Sequence, residues 1–424
     1  MADPIGEDEP RGRSILFVTQ LSPPASFSAG RRIGGLTKYL SRLGHQVTVL
    51  TSVASGEGSI EGAARVIRTP DLIMTGLNWR RAHFLSLKEG GAGYRGGPSR
   101  VAYALVPDLA LVSWVPFALT RALRLAARER FDCVITTSPP ESGHFVGAAL
   151  RRSGIPWIAD FRDGWTFETT HPHWPLRSQH RLDEALESAV VRRADRVVGV
   201  SEPITEDLRR RLGGRAVTIS NGFDPDEVIV DGPPPVELAP DRHSLVHTGR
   251  MAFAGRSALP LLDAIRLLAT SDSETMRRLE VIFAGPLSGE EHALIADPRL
   301  AGTVRAVGTL DRSATLRLQR AANSLLLITG RERRSEATAK LYEYLAAERP
   351  IVTLGQDSAA AGIVEELGAG ITTSATDPQA IASTLKRVVA DGAAGGAHGG
   401  GSYARFSYEV LARRLAAEIE AIAR

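Results

Sequence analysis

The chain has one cysteine, Cys133, in 424 residues. No disulfide can close within it, and a reducing compartment is expected. Cys133 lies in the apolar run FDCVITTS, where it reads as a small buried core residue. The N-terminus MADPIGEDEPRGR is polar and opens acidic, without the basic-then-apolar order of a signal peptide. No clean membrane-spanning run is present either. The most apolar long stretch, VAYALVPDLALVSWVPFAL (101–119), contains Pro107, Asp108 and Pro116, and a spanning helix would have to bury that aspartate. These absences predict a cytoplasmic protein and leave open a peripheral seat at the inner face of a membrane. A GxGxxG fingerprint and solenoid repeats are missing as well. Charge of neither sign dominates: 51 basic and 48 acidic residues give a net +3. That balance does not call for nucleic acid, and none is expected as a partner. Acidic small molecules and anionic membrane surfaces fit it.

What is present is ordinary globular material, 43% hydrophobic and 23% charged, in a chain long enough for two or three domains. Residues 1–13 read as a disordered tail. SILFVTQ, the loop SPPASFSAG, the helix RRIGGLTKYLSRLG and the strand HQVTVLTS form a βαβ unit that opens a doubly wound sheet. Gly30 stands where the loop enters the helix, and packing or close approach of a ligand explains it equally. Residues 71–100 are irregular and mix arginines with Trp79, Phe84 and Tyr94. They read as a solvated loop or as a holder for an acidic or lipid-linked acceptor at an anionic membrane. A helix over 109–130 and the strand FDCVITTS follow. His144 falls near the start of the next helix, and Asp160 and Asp163 close the strand PWIAD and the turn FRDGW. All three stand just after strands, where open α/β sheets bind ligands. A long helix over 176–194, RVVGVS, EPITEDLRRRLG and AVTISNG complete this half.

NGFDPDE holds a DxD pattern, Asp224-Pro225-Asp226, of the kind that can hold a divalent metal. It follows Asn-Gly and spans a proline, so it reads as a turn, and no metal is expected. The proline-rich stretch 231–243 reads as a linker between a first domain, 14–230, and a second, 244–402. The second contains SLVHTGR, LEVIFAGP with Gly285, TVRAVG, SLLLITG and IVTLG. Beyond DGAAGGAHGGGS, Leu411, Leu415, Ile419 and Ile422 form a helical stripe in 403–424, which is expected to pack back on the first domain.

SEATAKLYEYLAAERP (335–350) is the most informative stretch. A helix from about Thr338 places Lys340 and Glu343 on one edge of its first turns. Free N–H groups near Thr338 and Ala339, the Lys340 charge and a carboxylate behind them suit a nucleoside diphosphate and its ribose. An ordinary buried helix with an exposed Lys–Glu pair fits the same residues.

Taken in order, SPPASFSAGRRIGGLTKYLSRLGHQVTVLTS, VPDLALVSW, SPPESGH, IPWIADFRDGW, VVGVSEPITEDL, ISNGFDPDE, HTGRMAFAGR, VIFAGP, VGTLDR and KLYEYLAAERPIV resemble GT-B-fold glycosyltransferases of the GT4-type retaining family, in a bacterial cell-surface glycan subgroup. The resemblance implies an α/β, GT-B architecture, with two doubly wound Rossmann-like domains facing a central cleft. It implies transfer of a sugar, with retention, from a UDP- or GDP-type nucleotide-sugar donor to a glycan, lipid-linked or small-molecule acceptor, without a cofactor. On this resemblance Arg250 and Arg256 neutralise the leaving diphosphate, supported by Thr338, Ala339 and Lys340. Glu343 takes the ribose, Gly30 and Gly285 line the donor, His144 contacts the sugar and Asp163 positions acceptor or sugar. Two positions depart from the family pattern. Ser335 stands where a glutamate is usual, eight residues before Glu343, with Glu336 one place off register. Glu348 stands where glycine is common. The first departure keeps a second reading open, a GT-B-like scaffold that binds a nucleotide or partner without transfer.

Overall fold

The computed structural model describes residues 12–24, 28–73, 105–168, 174–228, 230–251, 256–330, 333–391 and 403–423. Most of the irregular basic–aromatic segment 71–100, the glycine-rich stretch 392–402 and residues 1–11 of the expected tail lie outside them. The chain divides into two compact units.

The first unit comprises the described residues up to Ser220 together with Tyr408 onward. Its seven strands are β1 (Ser14–Val18), β2 (Gln46–Ser52), β3 (Ala63–Thr69), β4 (Cys133–Ser138), β5 (Trp157–Phe161), β6 (Arg196–Gly199) and β7 (Ala216–Thr218). They form one parallel sheet in the order β3-β2-β1-β4-β5-β6-β7. Central strands such as CVITTS are buried at every residue, as in a sheet covered on both faces. Burial pushes the Cys133 thiol pKa up, which suits a core residue.

Helices cover the faces. The expected 109–130 helix is two, Ala110–Ser113 and Val115–Ala126, interrupted at the fully buried Trp114, whose indole N–H donates to Thr69 Oγ1 at 3.0 Å. The terminal helix Tyr408–Ile422 buries Leu411, Leu415 and Ile419 in the same cluster as Ile33, Leu36 and Leu40 of the helix Ser28–Arg42. Gly35 admits it: a Cβ there would lie 2.2 Å from the Tyr408 ring. Arg13, placed in a disordered tail by its polar surroundings, instead donates from Nε and Nη2 to Glu420 at 2.8 and 2.6 Å. A charged partner distant in sequence orders what local composition could not.

The second unit comprises the described residues from Asn221 to Ser407. Its strands are β8 (His243–Thr248), β9 (Leu279–Ala284), β10 (Val304–Gly308), β11 (Ser324–Ile328), β12 (Ile351–Leu354) and β13 (Gly370–Thr373). They form a parallel sheet in the order β10-β9-β8-β11-β12-β13. The boundary falls at Ser220, ten residues before the expected 230. Phe223, Val228, Val236 and Leu238 account for the difference, because they pack with the second unit's core. Glu348, at positive φ (56°), occupies the glycine-favouring position that ends the 339–346 helix.

In each sheet the strand order reverses once, between β1 and β4 and between β8 and β11. The carboxyl ends of those pairs are the topological switch points, where this architecture opens a crevice for ligands.

Candidate active site

In the second unit the turn after β8, Gly249–Arg250, lies against the end of β9. The Gly249 N–H donates to Ala284 O at 2.6 Å, and Gly249 has φ +92°. A Cβ on Gly285 would lie 2.3 Å from the Gly249 carbonyl oxygen. Two glycines are therefore required for this turn to sit flush on the neighbouring strand. Lys340, in the first turn of the helix Ala339–Ala346, reaches over the same turn. Its Nζ is 3.3 Å from His247 Nε2 and 3.4 Å from Arg250 O. His247 is buried and its Nδ1 contacts Leu326 O at 2.9 Å. Burial, reinforced by Lys340, pushes its pKa down to about 3. The ring is thus neutral, and its Nε2, which faces the ammonium, also lies 3.0 Å from Arg250 O.

After β11 the chain turns at Gly330, whose N–H donates to Glu336 Oε2 at 2.6 Å. The other carboxylate oxygen, Oε1, is 3.4 Å from Arg256 Nε, and both side chains are nearly buried. Of the two neighbours Ser335 and Glu336, it is Glu336 whose carboxylate meets the basic residue. Thr338 is the N-cap of the 339–346 helix by its backbone, yet its side chain makes no cap. Its buried Oγ1 has no hydrogen-bond partner among the described residues. Arg250, Lys340, Arg256 and Glu336 thus come from the segments that follow β8 and β11, the switch-point pair. This collection of cations, one carboxylate and helix-start N–H groups can hold a phosphorylated, hydroxyl-bearing ligand.

Glu343 is 5% exposed and its Oε2 lies 2.9 Å from Arg312 Nη1. It is not part of an exposed Lys–Glu pair. Arg312 also donates to Glu227 Oε2 from Nε and Nη2, at 2.9 and 2.7 Å. The cavity these residues line holds about 10 Å³, roughly one water. The Asp224-Pro225-Asp226 pattern is a local turn, with the Asp226 N–H donating to Asp224 Oδ1 at 3.0 Å.

In the first unit Gly30 is buried in the first turn of the 28–42 helix, two residues inside its start rather than in the loop. His144 begins the helix His144–Arg152 and is 0% exposed. Its ring stacks on Phe161 at 4.8 Å and on Trp165 at 6.4 Å between centroids. Thr136 Oγ1 accepts from Trp157 Nε1 and contacts His144 Nδ1, both at 2.8 Å. His144 Nε2 has no hydrogen-bond partner among the described residues. Burial lowers the His144 pKa to about 4, so the ring is neutral near pH 7 and cannot serve as a titrating base there. Asp163 stands in the turn after β5, beside Arg162, which donates to Ser138 O and Pro139 O at 2.9 and 2.5 Å. Asp160 is buried, and accepts from Arg32 Nε and Nη2 at 3.1 and 2.7 Å and from Thr137 Oγ1 at 2.8 Å.

Sequence reasoning missed three groups here. Arg32 also donates to Ser220 O at 2.6 Å, at the residue where the first unit ends. Asp183 accepts the indole N–H groups of Trp165 and Trp174 at 2.7 and 2.8 Å. Glu187 accepts from Thr166 Oγ1 and Arg211 Nη1, at 2.5 and 2.9 Å. Asp183 and Glu187 are four apart on the helix Arg177–Arg193, the one signal that they share a face.

Residues 28–222 match the family model of the glycosyl transferase 4-like domain. That segment is similar to a glycosyltransferase domain, and the two-sheet architecture is the GT-B fold. Among solved structures, a sucrose-phosphate synthase from Thermosynechococcus elongatus aligns with TM-score 0.67 at 16% identity, over 96% of this chain and 98% of that one. A UDP-forming α,α-trehalose-phosphate synthase from Burkholderia xenovorans aligns with TM-score 0.63 at 12% identity, over 97% and 100%. A structure described as trehalose-6-phosphate from E. coli, bound with UDP-2-fluoro glucose, aligns with TM-score 0.61 at 13% identity, over 96% and 99%. No curated protein matches the chain by sequence.

Proposed function

We propose that this GT-B, GT4-type glycosyltransferase takes a sugar from a nucleoside-diphosphate sugar of the UDP or GDP type and transfers it, with retention, to a glycan, lipid-linked or small-molecule acceptor. We further assign it to bacterial cell-surface polysaccharide biosynthesis, carried out in the cytoplasm or against the inner face of a membrane. The observation that carries the reading is the inward Glu336, held between Gly330 N–H and Arg256 next to the Gly249–Arg250 turn and Lys340. UDP is favoured over GDP because UDP is the nucleotide in the descriptions of the B. xenovorans and E. coli structures.

In this reading the second unit holds the donor. Lys340, Arg250 and Arg256 offset the charge that accumulates on the diphosphate as the glycosidic C–O bond breaks. Glu336 accepts hydrogen bonds from sugar hydroxyls and holds Arg256 in place. Glu343 accepts from the ribose hydroxyls once it shares or releases Arg312. The acceptor hydroxyl attacks the face that the diphosphate leaves, and its proton passes to the departing phosphate oxygen. The first unit holds the acceptor, with Asp163 in the turn after β5 and the neutral His144 ring setting the floor beneath it. Orientation and charge stabilisation supply the acceleration, without a metal.

The test is turnover. Purified protein is incubated, without added metal, with UDP-, GDP-, ADP- and dTDP-sugars, and slow release of diphosphate is followed. The reading expects one nucleotide series to release diphosphate and Arg256→Ala to abolish that release. Binding with no release, in the presence of lipid-linked and soluble glycans, supports the non-catalytic scaffold instead.

A further inference from the structure

We infer that a cavity in the second unit receives the carboxylate of an acidic sugar, so that the donor is a nucleoside-diphosphate uronic acid. This rests on the donor reading above, which leaves the sugar open. The cavity lies where the chain leaves β11, β12 and β13, and it holds about 540 Å³. That is within the range of small-molecule sites, about 300–1,000 Å³. Gly330 joins it to the donor cradle. It lines the cavity, and its N–H holds Glu336 Oε2 at 2.6 Å. A sugar whose hydroxyls meet Glu336 therefore has its remaining substituents at the mouth of the cavity.

The walls are fixed. Arg334 O and Glu336 O accept from the Ala359 and Ala360 N–H groups at 2.7 and 3.0 Å, which ties this segment to the start of the helix Ala359–Glu366. Gly355, at φ +124°, sits flush on β11, since a Cβ there would lie 1.8 Å from Thr329 Oγ1. Ser374 Oγ accepts from the Thr376 and Asp377 N–H groups, both at 3.1 Å. A cavity built in advance costs its ligand little ordering.

The lining selects the ligand. Among the described residues on the wall, Ala375 brings the one apolar side chain. None of them stacks on a base or covers an acyl chain, as apolar and aromatic linings do. Gln356, Ser374 and Thr376 offer amide and hydroxyl groups, which suit a ligand rich in hydroxyls. Arg333 and Arg334 stand against one acid, Asp357, so these residues carry a net charge of +1. Arg333 is half-buried, which shields its charge from salt. A carboxylate brings the single negative charge that balances the lining, and its two oxygens match a guanidinium fork. A phosphate monoester, at about −1.5 to −2 near neutral pH, would overshoot that balance beside Asp357 and Glu336. A neutral hexose would leave the arginines unmatched.

The experiment is calorimetric titration of the full chain, without metal, with UDP, UDP-glucose and UDP-glucuronate, and with GDP, GDP-mannose and GDP-mannuronate. We expect the uronate of one series to bind about tenfold or more tighter than its neutral counterpart, the scale of a hydrogen bond to a charged group. That preference should vanish in Arg333→Gln/Arg334→Gln, while free nucleotide binds as it does to wild type. Asp357→Asn should strengthen the preference, a change of opposite sign that lost packing would not produce. Nucleotide binding without a preference for the uronate overturns the cavity's role and leaves the donor reading standing. So does a preference that survives in the double arginine variant, or one that Asp357→Asn weakens or leaves unchanged. Binding of no nucleotide by a folded sample overturns both. Glucose 6-phosphate that binds wild type but not the double variant, with no uronate preference, gives the cavity to a free sugar phosphate and overturns the assignment to the donor.

Discussion

Arg256 Nε lies 3.4 Å from Glu336 Oε1, in a pair whose side chains are 13% and 6% exposed. Each holds the other, and the Gly330 N–H fixes the second oxygen of Glu336. Removing Glu336 should therefore displace Arg256 as well as the carboxylate. We expect Glu336→Ala and Arg256→Ala each to lower kcat/KM about a hundredfold or more, the scale of losing one charge-stabilising group in a transition state. Ser335→Ala should stay within about threefold of wild type on the same scale. Steady-state kinetics on the three proteins check this, and a larger loss at Ser335 than at Glu336 would reverse the assignment.

Gly285 faces the Gly249 carbonyl across a gap that admits no Cβ. Backbone must move to accept alanine, and the part that moves carries Arg250 and underlies Lys340. Gly285→Ala should cost about 1–3 kcal/mol of stability and raise the donor KM. Gly289→Ala is the control, because a Cβ there meets nothing within 4 Å. Denaturant unfolding with donor titration measures both effects.

The Arg312–Glu343 pair separates a stability role from a binding role. Arg312→Ala leaves a buried carboxylate short of its partner, and we expect a loss of about 1–3 kcal/mol. Glu343→Ala should weaken nucleotide binding about tenfold or more, the scale of a lost hydrogen bond to a charged group. Thermal unfolding and nucleotide titration of both variants check the division. Equal binding loss in both would show that Arg312 itself contacts the nucleotide.

Acid should destabilise the fold through its buried histidines. Burial lowers the pKa of His144 to about 4 and of His247 to about 3, from 6.5. Below about 6.5 the unfolded chain takes up protons that these folded rings refuse, so stability falls as pH drops from 6.5 toward 4. His144 alone contributes about 3 kcal/mol to that fall by pH 4. His144→Gln should flatten the slope of unfolding free energy over this window, whatever it does to stability at pH 7.

Much of this was legible in the primary structure. Apolar β-branched runs such as CVITTS and SLLLI are buried on both faces and declare themselves without alternation. The edge strands β3 and β13 do not, being partly exposed and carrying polar residues. In the second unit spacing singled out Lys340, and family likeness singled out Arg256. The partner of Arg256 was not visible, because a one-place offset in sequence cannot report which side chain a loop turns inward. The Arg32–Asp160 pair was hidden for a different reason: its members are 128 residues apart, and nothing local marks an arginine that will be 1% exposed. His144 was placed correctly after a strand, but its cover of Phe161 and Trp165 follows from packing, which spacing does not encode.

The central claim is that the cradle of Gly249, Arg250, Arg256, Glu336 and Lys340 holds a nucleoside diphosphate. Calorimetric titration of UDP, GDP, ADP and dTDP into the wild type and into Lys340→Ala, without metal, tests it most directly. The account predicts that one of the four binds the wild type and that Lys340→Ala weakens it about tenfold or more, as for a charge-assisted contact. Binding of none of the four by a folded sample, or equal binding by Lys340→Ala, would contradict it.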